Sequence, residues 1–282
     1  MRMARWCVGW PASATEKGCR DGLTWQAELR PHAAGEFSMA AAQANAEMED
    51  QAQVMPSPEA TLVGVYDGHG GPDASRFLRS RLFPLVHELA AEHGGAVTAE
   101  VMRKAFLAAD EEYLQLLRWS LPNMSRAAAS GSCCLLGAIS DDTLYVANAG
   151  DSRAPSVHAR KLKPGVDLFV VFASDGLWEH LSDDEAVRLV SKNPRRGVAG
   201  ALVQAAFKEA ARKREVRRGD LWRIERGVRR HFHDDIAAVV VFLDLDNDGR
   251  RARRRGKVVH STSSCCSSNT PLDVYSFFNS GA

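Results

Sequence analysis

The segment Thr61-Leu62-Val63-Gly64-Val65-Tyr66 is apolar and β-prone, and it runs directly into Asp67-Gly68-His69-Gly70-Gly71-Pro72. A carboxylate and an imidazole therefore stand at the end of a buried strand, on a turn whose glycines let the backbone approach a ligand closely. Pro72 suits the first position of a following helix. Taken alone, the segment reads equally well as a Gly-rich strand-to-helix turn with a solvated Asp and His. The pattern recurs, however. Asp151 in Gly150-Asp151-Ser152-Arg153 and Asp175 in Ser174-Asp175-Gly176 each close an apolar run beside a glycine, and Asp234 in His233-Asp234-Asp235 stands just before one. With Glu49 and Asp50 they suggest one edge of a sheet system lined with carboxylates. Carboxylates brought together repel unless they are protonated or neutralised by cations. Hard oxygen ligands without cysteine or obligatory histidine suit Mg2+ or Mn2+ rather than zinc. Two such ions bridged by one carboxylate can lower the pKa of a water and aim hydroxide at phosphorus, with no Ser or Cys nucleophile.

The elements that must position these groups follow from periodicity. Phe37 to Ala44 and Thr61 to Tyr66 read as strands, separated by an acidic step and a polar loop over 51–60 that carries two prolines. Phe77, Leu78, Leu82, Leu85, Val86 and Leu89 recur at threes and fours, which predicts a helix from Pro72 to about Ala91. Thr98 is an N-cap for a second helix. Gly131 to Ser140 and Thr143 to Ala149 form a hairpin turning at Asp141-Asp142. Pro155 to Gly165 reads as polar loop, and Leu168 to Ala173 as a strand. Ser182 and Glu185 have capping-box spacing for a helix to about Lys192. A helix over Val198 to Arg214 and a strand over Ile236 to Leu243 complete the core.

Composition narrows the class. The 282 residues are 45% hydrophobic with a net charge of +1, so no overall field recruits nucleic acid. The six cysteines include no C-x-x-C pair, so they lack zinc spacing and read as free thiols in a reducing compartment. The longest apolar runs are too short to span a bilayer, and Met1 to Trp10 has no signal-peptide core. Residues 208–230 hold ten Lys/Arg against four Asp/Glu, mostly a solvated face that can attract phosphorylated partners. Asp244-x-Asp246-x-Asp248-Gly249 imitates the start of an EF-hand loop, but its twelfth position is Arg255.

Val65-Tyr66-Asp67-Gly68-His69-Gly70-Gly71, Ala147-Asn148-Ala149-Gly150-Asp151-Ser152-Arg153, Phe172-Ala173-Ser174-Asp175-Gly176-Leu177-Trp178 and His233-Asp234-Asp235-Ile236 together resemble the metal-dependent protein phosphatases of type 2C, in the family's own order. Pro31 to Met39 and Arg226 to His233 resemble the plant subgroup tied to regulation of the plasma-membrane proton pump. The resemblance implies an α+β fold: a four-layer α/β/β/α sandwich of two antiparallel sheets flanked by helices, with metals in a cleft at one end. It implies a protein serine/threonine phosphatase. Asp67 would bridge two Mg2+ or Mn2+ ions, and the Gly68 carbonyl would bind one. Asp175 and Asp234 would hold the other, and Glu49 and Asp50 would coordinate directly or through water. Asp151, with Glu179, would serve a looser third ion. His69 would be the general acid for the leaving oxygen. Expected partners are phosphorylated proteins and a regulatory protein, with at most weak membrane contact through the basic tail. The expected location is intracellular: cytoplasm, nucleus or the plasma-membrane surface.

Two departures stand out. The family often carries an arginine four residues before the first acid of its Glu-Asp pair, to grip phosphate; here that position is Asn45. Only twenty residues, Ala154 to Ala173, separate the second motif from the third, where the family has a far longer insert. The expected organisation is an irregular segment over 1–30, a phosphatase-like domain over 31–244 shortened near 154–165, and a disordered basic and Ser-rich tail over 245–282. An incomplete sandwich would leave Val170, Phe172, Val239 and Val241 partly uncovered, and the alternative function is then a weak or inactive isoform acting as a binding module.

Overall fold

The computed structural model describes residues 24–57, 59–120, 125–150, 155–221, 223–245 and 271–273. In chain order the elements are β1 (Thr24–Gln26), β2 (Arg30–His32), β3 (Gly35–Ala42), β4 (Gln51–Pro56), β5 (Thr61–His69), α1 (Asp73–Glu92), α2 (Ala99–Ser120), α3 (Ser125–Ala129), β6 (Gly131–Ser140), β7 (Thr143–Ala149), β8 (Ser156–Lys161), β9 (Phe169–Ala173), α4 (Asp175–Trp178), α5 (Asp183–Lys192), α6 (Val198–Lys213), α7 (Arg218–Leu221), β10 (Ile236–Phe242) and β11 (Leu272–Asp273). The strands form two antiparallel sheets. One runs β1-β3-β10-β9 with β2 also on β3, and the other runs β11-β4-β5-β6-β7-β8. Helices α1 and α2 cover the second sheet through Leu82, Phe83, Val86, Met102 and Phe106. Helices α5 and α6 cover the first through Val190, Leu202, Ala206 and Phe207. Between the sheets lies a third core, with Phe37, Met39, Val63, Val65, Phe172, Val239 and Val241. The result is the four-layer α/β/β/α sandwich that the motifs imply.

Local chemistry accounts for most boundaries. Asp141 and Asp142 both have positive φ, 46° and 56°, the requirement of a two-residue turn that matches strand twist. Ser182 accepts from the Glu185 N–H while the Glu185 carboxylate takes the Ser182 N–H, so α5 starts on a complete capping box.

Several expectations are corrected. The segment read as a loop over 51–60 holds β4, paired with β5. Its alternation is real but half polar: Ala52 and Val54 enter the inter-sheet core, while the buried Gln53 donates to the Tyr66 hydroxyl at 2.7 Å. Residues 155–165 hold β8, which pairs with β7 along an exposed edge rich in His158, Arg160 and Lys161. An edge strand of this kind has little apolar signal, and its charges guard the unpaired side. Strand β5 does not stop at Tyr66; Asp67, Gly68 and His69 remain paired with Cys133, Ser132 and Gly131. Thr24–Gln26, within the segment read as irregular, pairs with β3, and Leu272–Asp273, within the segment read as tail, pairs with β4. Phe172, Val239 and Val241 are not uncovered. They are 1%, 0% and 0% exposed, whereas Val170 is partly buried against the same core. The short 155–168 connection folds back across the sandwich and buries Leu162, whose N–H bonds the Asp142 carbonyl at 2.7 Å.

Phe172 locks the two sheets together. Its ring lies over Gly137 of β6 so closely that a Cβ on Gly137 would be 2.4 Å from two ring atoms. Gly137→Ala is therefore expected to destabilise by about 1–3 kcal/mol, and Phe172→Leu in the same chain to recover part of that loss, read by denaturant unfolding. Strictly additive effects would show that the ring does not depend on the missing methyl.

Candidate functional site

The topology brings one end of each sheet together. In the first sheet the end of β3, the end of β9 and the start of β10 coincide, with Ala42 opposite Ile236 and Ala173 opposite Ala238. In the second, the start of β4 lies beside the end of β5, with Gln51 opposite Tyr66. The connections leaving these ends carry the acids. Asp67 comes from β5, Glu49 and Asp50 from the β3–β4 connection, Asp175 from the β9–α4 junction and Asp234 from the approach to β10.

The two sheets meet at Asp67, whose Oδ2 accepts the backbone N–H of Asp175 at 3.0 Å. Asp235, 1% exposed, is the bracket behind the site. Its Oδ1 accepts the N–H groups of Ala44 and Asn45 at 2.6 and 3.0 Å, and its Oδ2 accepts that of Glu49 at 2.7 Å. Asp234 Oδ1 accepts the Asn45 side-chain amide at 3.3 Å and the Asp235 N–H at 2.7 Å. Its Oδ2 pairs with Arg230. Close backbone approach explains two glycines. A Cβ at Gly68 would lie 2.4 Å from the Glu49 carbonyl oxygen, and one at Gly176 would lie 2.0 Å from the Asp235 carbonyl oxygen. Ser75 Oγ at the start of α1 donates to the same Glu49 carbonyl at 2.5 Å. His69 is exposed at the end of β5, its ring over Gly131.

The carboxyls resist ionisation. Burial raises Asp67 to about 7, helped by Asp175 and Asp234, although the Asp175 N–H works the other way. Burial raises Asp234 to about 6 against the opposing pull of Arg230. Asp50 is driven well above the usual carboxylate range by burial and by the charges of Asp67 and Asp235. Its Oδ2 is buried without a hydrogen-bond partner among the described residues. Glu49 is raised by burial, then by Asp235 and Asp234.

The structure thus gathers Glu49, Asp50, Asp67, Gly68, Asp175 and Asp234 at one end of the sandwich, with His69 at the rim. Asp151 lies outside the described residues. Among the described residues no three His, Cys, Asp or Glu side chains converge closely enough to cage an ion. The donor chemistry nevertheless fits a hard cation, because a buried, unpartnered carboxylate oxygen amid raised carboxyls lacks positive charge. Sequence reasoning missed Asp235 and Arg230 as parts of the site. The Asp234-Asp235 doublet was the available signal for the first, and only the i,i+4 spacing to Asp234 marked the second.

This arrangement of two packed antiparallel sheets flanked by helices is shared by known structures. A serine-threonine phosphatase 2C from Toxoplasma gondii superposes with a TM-score of 0.60 at 15% identity, over 78% of this chain and 99% of that one. A serine/threonine phosphatase from Mycobacterium tuberculosis superposes with a TM-score of 0.54 at 14% identity, over 77% and 100%. The family model for protein phosphatase 2C matches residues 35–155 and 153–215. Probable protein phosphatase 2C 61 from Oryza sativa subsp. japonica is 63% identical over 99% of this chain and 100% of its own length. Probable protein phosphatase 2C 63 from Arabidopsis thaliana is 42% identical over 84% and 86%. The chain belongs to the protein phosphatase 2C family, as a metal-dependent protein serine/threonine phosphatase of plant type. The reading as an inactive binding module is not favoured.

The raised carboxyls generate a prediction about the metal-free protein. A carboxyl whose folded pKa exceeds its unfolded value near 4 opposes folding as pH rises between the two. For Asp67 that window runs from about 4 to about 7. In excess chelator, Asp67→Asn should melt above the unsubstituted chain at pH 8, by roughly 2–4 °C for each kcal/mol relieved, and no higher at pH 4. Identical melting of the two at both pH values would show that Asp67 carries no such penalty.

Proposed function

We propose that Asp67, the Gly68 carbonyl, Asp175 and Asp234 hold two Mg2+ or Mn2+ ions, with Glu49 and Asp50 completing the shell directly or through water and Asp151 serving a weaker third ion. The observation that carries this reading is the meeting of both sheets at Asp67, amid carboxyls whose pKa values burial and mutual repulsion raise. Bound ions would supply a water activated for attack on phosphorus. The chain's own residues do the rest. Asp235 fixes the Ala44–Glu49 backbone, so Glu49 and Asp50 approach Asp67 in a set orientation. His69, exposed at the rim, would give a proton to the leaving serine or threonine oxygen.

The substrates are phosphoserine and phosphothreonine in proteins. A regulatory protein partner and contact of the basic tail with a membrane surface remain part of this reading, the tail's Arg250, Arg251, Arg253, Arg254 and Arg255 lying outside the described residues. No described helix is long and apolar enough to cross a membrane. We further infer that an internal segment is absent between Arg153 and Ser174. The family model matches in two pieces that meet at 153–155, and the alignment to the 63% identical rice relative extends over 378 positions against 282 residues here. Strands β8 and β9, which lie within that connection, end their sheets, and Val166 and Leu168 between them are 67% and 56% exposed.

Two experiments test the roles. Asp67→Asn and Asp175→Asn should each lower Mn2+-dependent phosphate release from a phosphopeptide on the order of a hundredfold or more. Each should also abolish the rise in melting temperature that Mn2+ gives the unsubstituted chain. Full activity in excess chelator, or an unchanged Mn2+ shift in both variants, would overturn the assignment. His69→Ala should cost about 100-fold on a phosphopeptide and much less on an aryl phosphate, whose leaving group needs no proton; equal losses on both would remove His69 from the acid role.

A further inference from the structure

A cleft of about 570 Å3 opens beside the carboxylates. It touches the acidic cluster at Asp234, and its lining includes Lys213, Arg214, Arg230, His180 and His233 beside Glu179 and Phe232. Neither Asp67, Asp175, Glu49 nor Asp50 lines it. The cations come from separate places in the sequence. Lys213 ends α6 and Arg214 follows it, while Arg230 lies on the short helical turn before β10. The fold has thus focused part of the basic stretch 208–230 onto one hollow next to the reaction centre.

These groups are poorly satisfied by the protein itself. Lys213 Nζ donates to the Glu179 carbonyl at 2.6 Å, which leaves two of its three donors for other acceptors. Arg214 has no ion pair among the described residues. Arg230 is held against Asp234, so its outer N–H groups border the cleft. His233 is 2% exposed with its ring edge against Phe207. Its Nδ1–H donates to the Asp234 carbonyl at 2.7 Å, which leaves Nε2 as a buried acceptor with no partner. Both ring nitrogens of the half-buried His180 are likewise unpartnered. Clustered cations repel unless an anion joins them, and a buried acceptor without a donor is costly. A multivalent oxyanion carried on a peptide answers the first need, at the lysine and arginines. A phosphoryl group suits the cations better than a carboxylate, because it brings more charge and more acceptor oxygens to fork-shaped guanidinium donors.

We propose that this cleft is a second anion subsite, which receives a further phosphoryl group on the same substrate chain as the phosphoserine or phosphothreonine held at the carboxylates. This rests on the phosphatase reading of the site. The enzyme would then prefer clustered phosphorylation sites, with the neighbouring phosphate anchoring the chain at Asp234's outer side.

The test measures binding rather than turnover. Two fluorescent peptides carry a non-hydrolysable phosphonate analogue of phosphothreonine, and one has a likewise non-hydrolysable phosphonate analogue of phosphoserine a few residues away. Anisotropy with the full chain and Mn2+ should show the second phosphate tightening binding about tenfold, equivalent to about 1.4 kcal/mol. In Lys213→Ala/Arg214→Ala that gain should fall below about twofold, and in Lys213→Arg/Arg214→Lys it should return, which separates charge from folding. Equal binding of the two peptides by the unsubstituted chain, or a gain that survives in the double alanine variant, would overturn the subsite. So would an equal gain when glutamate replaces the phosphoserine analogue, since the cleft would then read any acid. Failure of the phosphatase reading has a different signature, no Mn2+-dependent phosphate release from the hydrolysable peptides, and leaves the binding comparison intact.

Discussion

Acids crowded at the meeting end of two sheets repel one another, and most of the surrounding structure exists to hold them in place regardless. The holding is done by backbone. Asp235 accepts three N–H groups from the β3–β4 connection, so the segment bearing Glu49 and Asp50 cannot retreat from Asp67. The Asp175 N–H bonds Asp67 across the sheets. Gly68 and Gly176 allow carbonyls of the opposing connections to approach where any side chain would force them apart. The cost of this convergence appears as carboxyls whose ionisation burial and like charge make harder. A fold that carries such a cost at one place has a ready use for cations there, which is how local frustration marks functional sites.

The sandwich can bear that cost because its core is closed despite the short connection between β7 and β9. Phe172 reaches from one sheet into the space left by Gly137 in the other. Leu162 and the β8 ribbon fold over the flank that a longer insert would occupy. The exposed apolar groups are displaced to the margin, at Val166 and Leu168, rather than opened into the core. Here a polar edge strand closes the flank by pairing with β7 and packing Val157 against the core beneath α1 and α2.

Much of this was legible in the residues, and the exceptions have physical reasons. Helices α1, α2, α5 and α6 were readable because each carries one apolar face or a cap signal, as in Leu82-Leu85-Val86 and Ser182–Glu185. The acids were readable as a group because each borders an apolar strand. Strand β4 was not, because Gln51 and Gln53 occupy buried positions that alternation expects to be apolar. Strand β8 was hidden by its exposure. Asp235 was overlooked because a structural acid beside a candidate ligand has the same residue type; only its three backbone bonds distinguish it. The basic stretch 208–230 had a visible composition, but which of its charges face the site depends on where α6 ends.

Positive charge at the rim of this site comes from an unexpected direction. Where the family resemblance leads one to look for an arginine, Asn45 directs its amide to Asp234 Oδ1 and offers no charge. The guanidinium arrives instead from Arg230, four residues before the acid it holds. This changes more than the address of a cation. An arginine anchored on Asp234 has its orientation tied to that carboxylate's other oxygen, and through Asn45 to the backbone that Asp235 clamps. Any change in what neutralises Asp234 therefore alters how firmly Arg230 is held, and with it the charge presented to the adjoining cleft. If Asp234 holds an ion as proposed, substrate gripping and ion holding would be coupled through a single carboxylate.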